Sequence, residues 1–175
     1  MNARSALTQW LGRWMAPRTI SAHCDIPCGI YDPHGAQIAA LTVVRMNQLI
    51  AELPKPGPQT TPEERDAYVH KLSRYTTVKE EHAETCKREL RVLWGDYFTP
   101  EHAQKFPELH GLFWDAMKAA SKTRQDVNLQ AAQTLLDKVQ KITELFWKSK
   151  GAEVRRQPSQ QKSGGELLYP VAASK

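Results

Sequence analysis

The sequence predicts an all-α protein, an antiparallel up-and-down four-helix bundle, and three observations lead to this fold class. Four segments repeat apolar residues at steps of three and four, which is the spacing of one helix face. No segment shows a persuasive period of two, so no sheet is predicted. Each helix carries one apolar stripe that it cannot bury alone, and packing four stripes together is the simplest way to remove them from water.

The first two predicted helices carry the clearest local signals. The first covers about residues 34–53, and the segment PKPGP (54–58) then breaks the chain. The second begins with a capping box, in which Thr61 is the N-cap, Pro62 the first residue and Glu64 the third. The apolar stripes of these helices comprise Ala39, Val43, Met46, Ile50 and Leu53 in the first, and Leu72, Tyr75, Ala83, Cys86, Leu90 and Leu93 in the second.

Two further helices follow a long connection that contains two prolines. We predict the third helix over about residues 107–122 and the fourth over about 127–149, so the bundle occupies 34–150. Their stripes comprise Leu109, Leu112, Phe113, Ala116 and Ala120 in the third, and Leu129, Ala132, Leu136, Val139, Thr143 and Phe146 in the fourth. Cys86 lies among the apolar residues of its stripe, so we predict a buried, inert thiol there.

Both ends of the chain differ in composition from the bundle. Residues 1–22, the leader, contain three arginines and no acidic residue, and the small residue Ala22 precedes His23, which suits proteolytic removal. Polar residues interrupt every apolar run of the leader, so it is a poor secretory signal and reads as a pro-segment or an organelle transit peptide. The tail, residues 151–175, is rich in glycine, serine and glutamine, and we expect it to be disordered.

The distribution of charge narrows the function. The formal charge of +5 divides into +3 in the leader and +2 in the tail, which leaves residues 23–150 neutral. A nucleic-acid binder is expected to carry its basic patch on the folded domain, so nucleic acid is not predicted as a partner. No run approaches the ~20 apolar residues of a membrane-spanning helix, and we expect no membrane association. The expected location is the cytoplasm, or an organelle if the leader is a transit peptide.

The segment HCDIPCGIYDP (23–33) concentrates metal-binding groups. Taken alone, Cys24 and Cys28 favour a disulfide or half of a zinc site. If the leader is removed, however, the free amine of His23, its imidazole, and the amide and thiolate of Cys24 lie within two residues. Amine, amide and thiolate close two five-membered chelate rings, and the thiolate of Cys28 completes a plane of two nitrogens and two sulfurs with the imidazole as an axial ligand.

A planar set of nitrogen and sulfur donors favours Ni(II) or Cu(II) over zinc, which prefers a tetrahedron. Amide and thiolate donors release electron density, which brings a Ni(III)/Ni(II) couple within reach and predicts a one-electron redox site. Ile26–Pro27 is a candidate cis bond, Gly29 permits a backbone conformation closed to other residues, and Tyr31 is expected to hydrogen-bond an anion at the metal.

These residues resemble a known family. The segment HCDIPCGIYDP closely resembles the nickel hook of nickel-containing superoxide dismutases, whose pattern is H-C-x-x-P-C-G-x-Y. The segments VLWGDYF (92–98), FPELH (106–110) and LFWKSK (145–150) are similar to family segments in the same order. The resemblance covers His23 to Lys150, the whole predicted bundle.

The resemblance implies a homohexamer of four-helix bundles that converts superoxide to O2 and H2O2, with one nickel ion per subunit. It implies that nickel is bound by His23, Cys24 and Cys28. Tyr31 and Tyr97 are implied to be phenols near the substrate, and Asp25 to support the hydrogen bonds of the hook. It further implies a dedicated protease that removes the leader.

One departure from the family concerns the neighbours of the imidazole. Some members carry a glutamate and an arginine that steady it, and these positions hold Ala39 and His82 here. Two other functions remain open on the sequence alone: a non-catalytic nickel-binding or nickel-delivery protein with the same hook, and a helical interaction module in which the cysteines form a disulfide.

Overall fold

A computed structural model describes residues 29–171 of the chain, which form helices and one hairpin. The helices are α1 (His34–Glu52), α2 (Pro62–Val92), the short α3 (Pro100–Lys105), α4 (Leu109–Gln125) and α5 (Leu129–Ser149). A π-helical turn (Leu93–Tyr97) extends α2, and two strands, β1 (Val154–Pro158) and β2 (Glu166–Pro170), follow α5.

The four long helices form the predicted bundle. Helix α1 packs against α2 and α5, and α4 packs against the same two helices, which gives a closed ring of four. Helices α2 and α4 run in opposite directions, because Trp94 after α2 donates to His110 at the start of α4, whereas Lys79 further back on α2 donates to Asp126 beyond the end of α4. The predicted fold class is therefore confirmed, and the predicted helix bounds differ from the observed ones by only a few residues.

The core consists largely of the predicted apolar stripes. Its fully buried members include Val43, Cys86, Leu90, Phe113 and Phe146, one or more from each long helix. The predicted stripe of α2 is buried only in part. Most side chains in the first half of the helix are exposed, and Leu72 and Tyr75 are only half-buried. Lys79 is the first fully buried side chain of α2, at the point where this helix packs against α4.

Helix capping follows the sequence closely at α2. The hydroxyl of Thr61 accepts a hydrogen bond from the Glu64 amide, and the Glu64 carboxylate accepts one from the Thr61 amide, so the predicted capping box is confirmed. The sequence-based prediction did not include α3, which begins at Pro100, directly after its N-cap Thr99, within the long connection. None of the described helices combines the length and apolarity needed to cross a bilayer.

Two predictions about the tail are wrong for residues 151–171. We expected disorder and no sheet, but β1 and β2 pair antiparallel, with Arg156 opposite Leu168. Leu167 and Leu168 are each 1% exposed, and Leu167 belongs to the main core. Two adjacent leucines that are both buried supply the apolar burial that fixes this segment, despite its polar composition.

Candidate functional site

Tyr31 and Tyr97, the two candidate tyrosines, lie against each other at one end of the bundle. Their ring centroids are 5.5 Å apart, with an interplanar angle of 55°. Tyr31 lies just before α1, and Tyr97 ends the π-helical turn after α2, so the antiparallel packing of these two helices brings the residues together. Both side chains are half-buried, which leaves each ring partly accessible from solvent.

The π-helical turn sets the position of Tyr97. The amide of Phe98 donates to the carbonyl of Leu93 over 3.0 Å, a bond that spans five residues instead of four. One additional residue in a helical turn rotates the following side chains by ~100° relative to a regular α-helix. The turn therefore decides which way the chain leaves α2 and where the phenol of Tyr97 lies.

Tyr97 is held on several sides. Its hydroxyl lies 2.6 Å from Oγ of Ser149, and that Oγ donates its own proton to the carbonyl of Phe146 over 2.7 Å. Since a serine hydroxyl has only one proton, Tyr97 is the donor in the bond to Ser149. The Tyr97 ring also packs against Phe146 at 4.5 Å and stacks on His102 at 5.6 Å between centroids.

Lys150 places a positive charge at this end of the bundle. Its Nζ lies 4.8 Å from the ring centroid of Phe146 and 5.4 Å from that of Tyr97. An ammonium over aromatic faces is attracted by their negative quadrupole, which keeps the charge near the tyrosine pair. The sequence-based prediction missed Lys150 and Ser149, although both stand in the LFWKSK segment that resembles the family.

The remaining predicted site residues lie outside the described residues. These are His23, Cys24, Asp25 and Cys28, together with the Ile26–Pro27 bond. Gly29, the first described residue, has φ +71°, so the conformation predicted for it is confirmed. Within residues 29–171 no group of three or more histidine, cysteine or acidic side chains is arranged to hold a metal ion.

The two positions that depart from the family pattern have unremarkable surroundings. Ala39 lies in the core at 2% exposure and offers no polar side-chain atom. His82 is half-buried, and its Nδ1 lies 2.9 Å from the carbonyl of Val78 on its own helix. Neither residue reproduces a carboxylate or a guanidinium.

Cys86 is the free cysteine of the described residues, and it is fully buried. Burial, with a smaller contribution from the Glu89 carboxylate, raises the pKa of the Cys86 thiol to about 12. The predicted burial of Cys86 is confirmed. A thiol that stays protonated is a poor nucleophile and a poor metal ligand, which agrees with the predicted inert role.

Comparison with known proteins identifies the family. A model of the nickel-containing superoxide dismutase family matches residues 18–150. The nickel superoxide dismutases of Streptomyces coelicolor and Streptomyces seoulensis are 40% and 38% identical to this chain over 143 residues, which cover 81% of this chain and 99% of each relative.

A solved structure agrees with these sequence matches. The native structure of a nickel superoxide dismutase superposes with a TM-score of 0.63 at 38% identity, over 73% of this chain and 99% of that one. The matched region contains the whole bundle and both site tyrosines. The chain therefore belongs to the family of nickel-containing superoxide dismutases.

Proposed function

We propose that this chain catalyses 2 O2⁻ + 2 H⁺ → O2 + H2O2 by Ni(III)/Ni(II) cycling at His23, Cys24 and Cys28, once the leader has been removed. Membership of the family makes the chain a superoxide dismutase, with nickel as its cofactor and superoxide as its substrate. The observation that carries the finer proposal is the Tyr31–Tyr97 pair, which joins a residue of the hook segment to the end of the bundle.

The donor set of the hook fits nickel. The His23 amine, the deprotonated Cys24 amide and the Cys24 thiolate close two five-membered rings, and the Cys28 thiolate completes a set of two nitrogens and two sulfurs that suits Ni(II). Nickel held by His23, Cys24 and Cys28 would supply one-electron redox chemistry toward superoxide. Before cleavage the nitrogen of His23 is an ordinary peptide nitrogen, so the same donors are not available together.

The described residues supply what surrounds that chemistry. Tyr31 offers a phenol that hydrogen-bonds the substrate anion and passes on a proton, and Tyr97 holds the Tyr31 ring in place. The hydroxyl of Tyr97 is committed to Ser149, which favours a supporting role for Tyr97 over direct proton transfer. Lys150 attracts the anion to this end of the bundle.

The rest of the proposal concerns residues and partners that the described structure does not include. Asp25 stabilises the hook through hydrogen bonds, one nickel ion is bound per subunit, and six subunits assemble. A dedicated protease cleaves between Ala22 and His23. The processed chain works in the cytoplasm, or in an organelle if the leader is a transit peptide.

The required amine gives a sharp test. Protein that begins at His23 is expected to bind one equivalent of nickel and to consume superoxide, whereas protein that begins at Ala22 is expected to do neither. The two differ by one alanine, so folding of the bundle is the same in both. Nickel content by elemental analysis and superoxide decay by stopped flow are the measurements.

The outcomes separate the alternatives. Superoxide turnover by the form that begins at Ala22 would contradict the role of the free amine. Nickel binding without turnover by the form that begins at His23 would favour a carrier. A titration that finds Cys24 and Cys28 joined in a disulfide in the purified protein would favour an interaction module.

A further inference from the structure

The C-terminal hairpin, residues 154–170, lies beyond the end of the family match at residue 150. It is nevertheless bound firmly to the bundle. Gln37 of α1, itself 1% exposed, donates to the carbonyl of Leu168 over 3.0 Å and accepts from its amide over 2.9 Å. The side-chain amide of Gln37 thus pairs with the backbone of β2 as a neighbouring strand would. Both hydrogen bonds require the amide to lie in one specific orientation.

A second glutamine binds the hairpin from α5. Gln140 of α5 donates to the carbonyl of Glu166 over 2.7 Å and accepts from Arg156 of β1 over 2.8 Å. Arg156 also donates to Glu144 over 2.6 Å. Both strands are therefore tied to α5 while β2 is also tied to α1, so the hairpin spans the groove between these two helices.

One residue of the hairpin, Tyr169, contacts the start of α1 close to the tyrosine pair. Tyr169, next to Leu168, packs its ring on His34 with 5.5 Å between centroids. His34 is the first residue of α1, and its amide donates to the carboxylate of Asp32 over 2.7 Å. Tyr31 is the next residue toward the hook, so Tyr169 supports the turn from which the Tyr31 ring extends to Tyr97.

We propose that Tyr169 is a positioning residue: through His34 it fixes the first turn of α1 and with it the place of the Tyr31 ring against Tyr97. The proposal rests on the function proposed above, because that function makes Tyr31 the phenol that binds the substrate anion. It assigns a role to a segment that the family match does not include. The ring of Tyr169 makes the contact, so its hydroxyl is expected to be dispensable.

The test uses the full chain without metal. The chain has five tyrosines, and replacing them with 3-fluorotyrosine gives one fluorine NMR signal for each, which Tyr→Phe variants assign. In Tyr169→Ala the Tyr31 signal is expected to shift and broaden. The amide of Gln37, which donates to the carbonyl of Pro33 in the first turn of α1, is expected to exchange with deuterium about tenfold faster. Tyr169→Phe is expected to match the wild type in both measurements. The signals of Tyr68 and Tyr75 on α2 serve as internal references.

A matched variant separates positioning from general loosening of the hairpin. Gln48→Ala removes the hydrogen bond from Gln48 to the carbonyl of Ser163, at the turn of the hairpin and away from Tyr169, and the Tyr31 signal is expected to stay in place. An unchanged Tyr31 signal in Tyr169→Ala, or an equal change in Gln48→Ala, would overturn the proposal. Neither measurement needs nickel or superoxide, so their failure is distinct from failure of the proposed function.

Discussion

At the scale of single residues, Lys79 shows how the bundle stabilises an otherwise incomplete helix end. It is 1% exposed, yet no carboxylate lies within ion-pair distance of its ammonium among the described residues. Instead Nζ donates to the carbonyls of Thr123, Arg124 and Asp126, where α4 ends. Helix ends leave carbonyls unpaired, and a buried lysine from α2 satisfies them here. Burial lowers the pKa of Lys79 from its ordinary value.

Replacing this lysine tests the arrangement. Lys79→Met keeps the length and apolar stem of the side chain but leaves three carbonyls without their donor, so we expect a loss of about 1–3 kcal/mol in the free energy of unfolding. Urea unfolding at neutral pH measures it. Lys71→Met on the exposed first half of α2 is the control, with an expected change within ~0.5 kcal/mol. Equal effects of the two substitutions would show that the carbonyl contacts contribute nothing.

Cys86 gives a second residue-scale prediction, on pH. Its thiol pKa is raised from 9.0 to about 12 in the folded chain, so between these values the folded chain keeps a proton that the unfolded chain releases. The corresponding stability is fully present below about pH 9 and is lost as the pH rises toward about 12. Between pH 8 and 10.5 the wild type is expected to lose ~2 kcal/mol more of its unfolding free energy than Cys86→Ala.

Denaturant unfolding across this pH range measures the difference between the two proteins. Cys24 and Cys28 are present in both, so their titration cancels in the comparison. Two curves that stay parallel from pH 8 to 10.5 would mean that the Cys86 thiol titrates normally in the folded chain.

At the scale of elements, two kinds of contact hold the hairpin on the bundle: burial of its leucines and hydrogen bonds from Gln37 and Gln140. We expect Leu167→Ala to lower the free energy of unfolding by ~2–4 kcal/mol, because Leu167 is 1% exposed and belongs to the main core. Leu129→Ala, at a position 37% exposed, should change it by less than ~1 kcal/mol. Thermal and urea unfolding monitored by circular dichroism compare the two. A cost for Leu167→Ala as small as that of Leu129→Ala would show that the hairpin is not part of the cooperative fold.

The elements that could be predicted from sequence are those whose signals are local. The long helices follow from periodicity, and α2 begins where the Thr61 capping box places it. The hairpin could not be predicted in this way, since Leu167 and Leu168 are both buried and break the alternation of a half-exposed strand, while β1 is almost wholly exposed. Burial of Lys79 depends on the end of a different helix, which no local pattern reports.

The candidate site divides in the same way. The donor chemistry of His23, Cys24 and Cys28 can be worked out from their order alone, because chelate rings are a local property. Tyr97 entered only through the family resemblance, and its contact with Tyr31 depends on how α1 and α2 pack. Ser149 and Lys150 were missed, since nothing near them in sequence indicates that α5 ends beside the tyrosine pair.

At the scale of the whole molecule, attraction of an anion cannot rely on net charge. The formal charge of +5 falls to +2 without the leader, and that remainder is the charge of residues 151–175. Because the net charge is small, the positions of individual charges near the site determine how superoxide approaches. Among the described residues, Lys150 has its ammonium over the Tyr97 ring. Lys162 lies elsewhere, in the turn of the hairpin, and this turn faces Arg45 and Met46 of α1.

Lys150→Gln and Lys162→Gln change the net charge equally, so the pair distinguishes local from global attraction. One unit charge about 6 Å from an anion in water contributes ~0.7 kcal/mol, or about threefold in rate. We therefore expect Lys150→Gln in the processed, nickel-loaded protein to lower kcat/KM for superoxide about threefold at low salt, and Lys162→Gln to leave it nearly unchanged. Stopped-flow decay of superoxide at ionic strengths from ~0.01 to ~0.3 M measures both, and the difference should shrink as salt screens the charge. Equal losses in the two variants would assign the attraction to net charge, and a loss in Lys150→Gln that persists at high salt would mean that Lys150 acts through the packing of Tyr97 instead of through its charge.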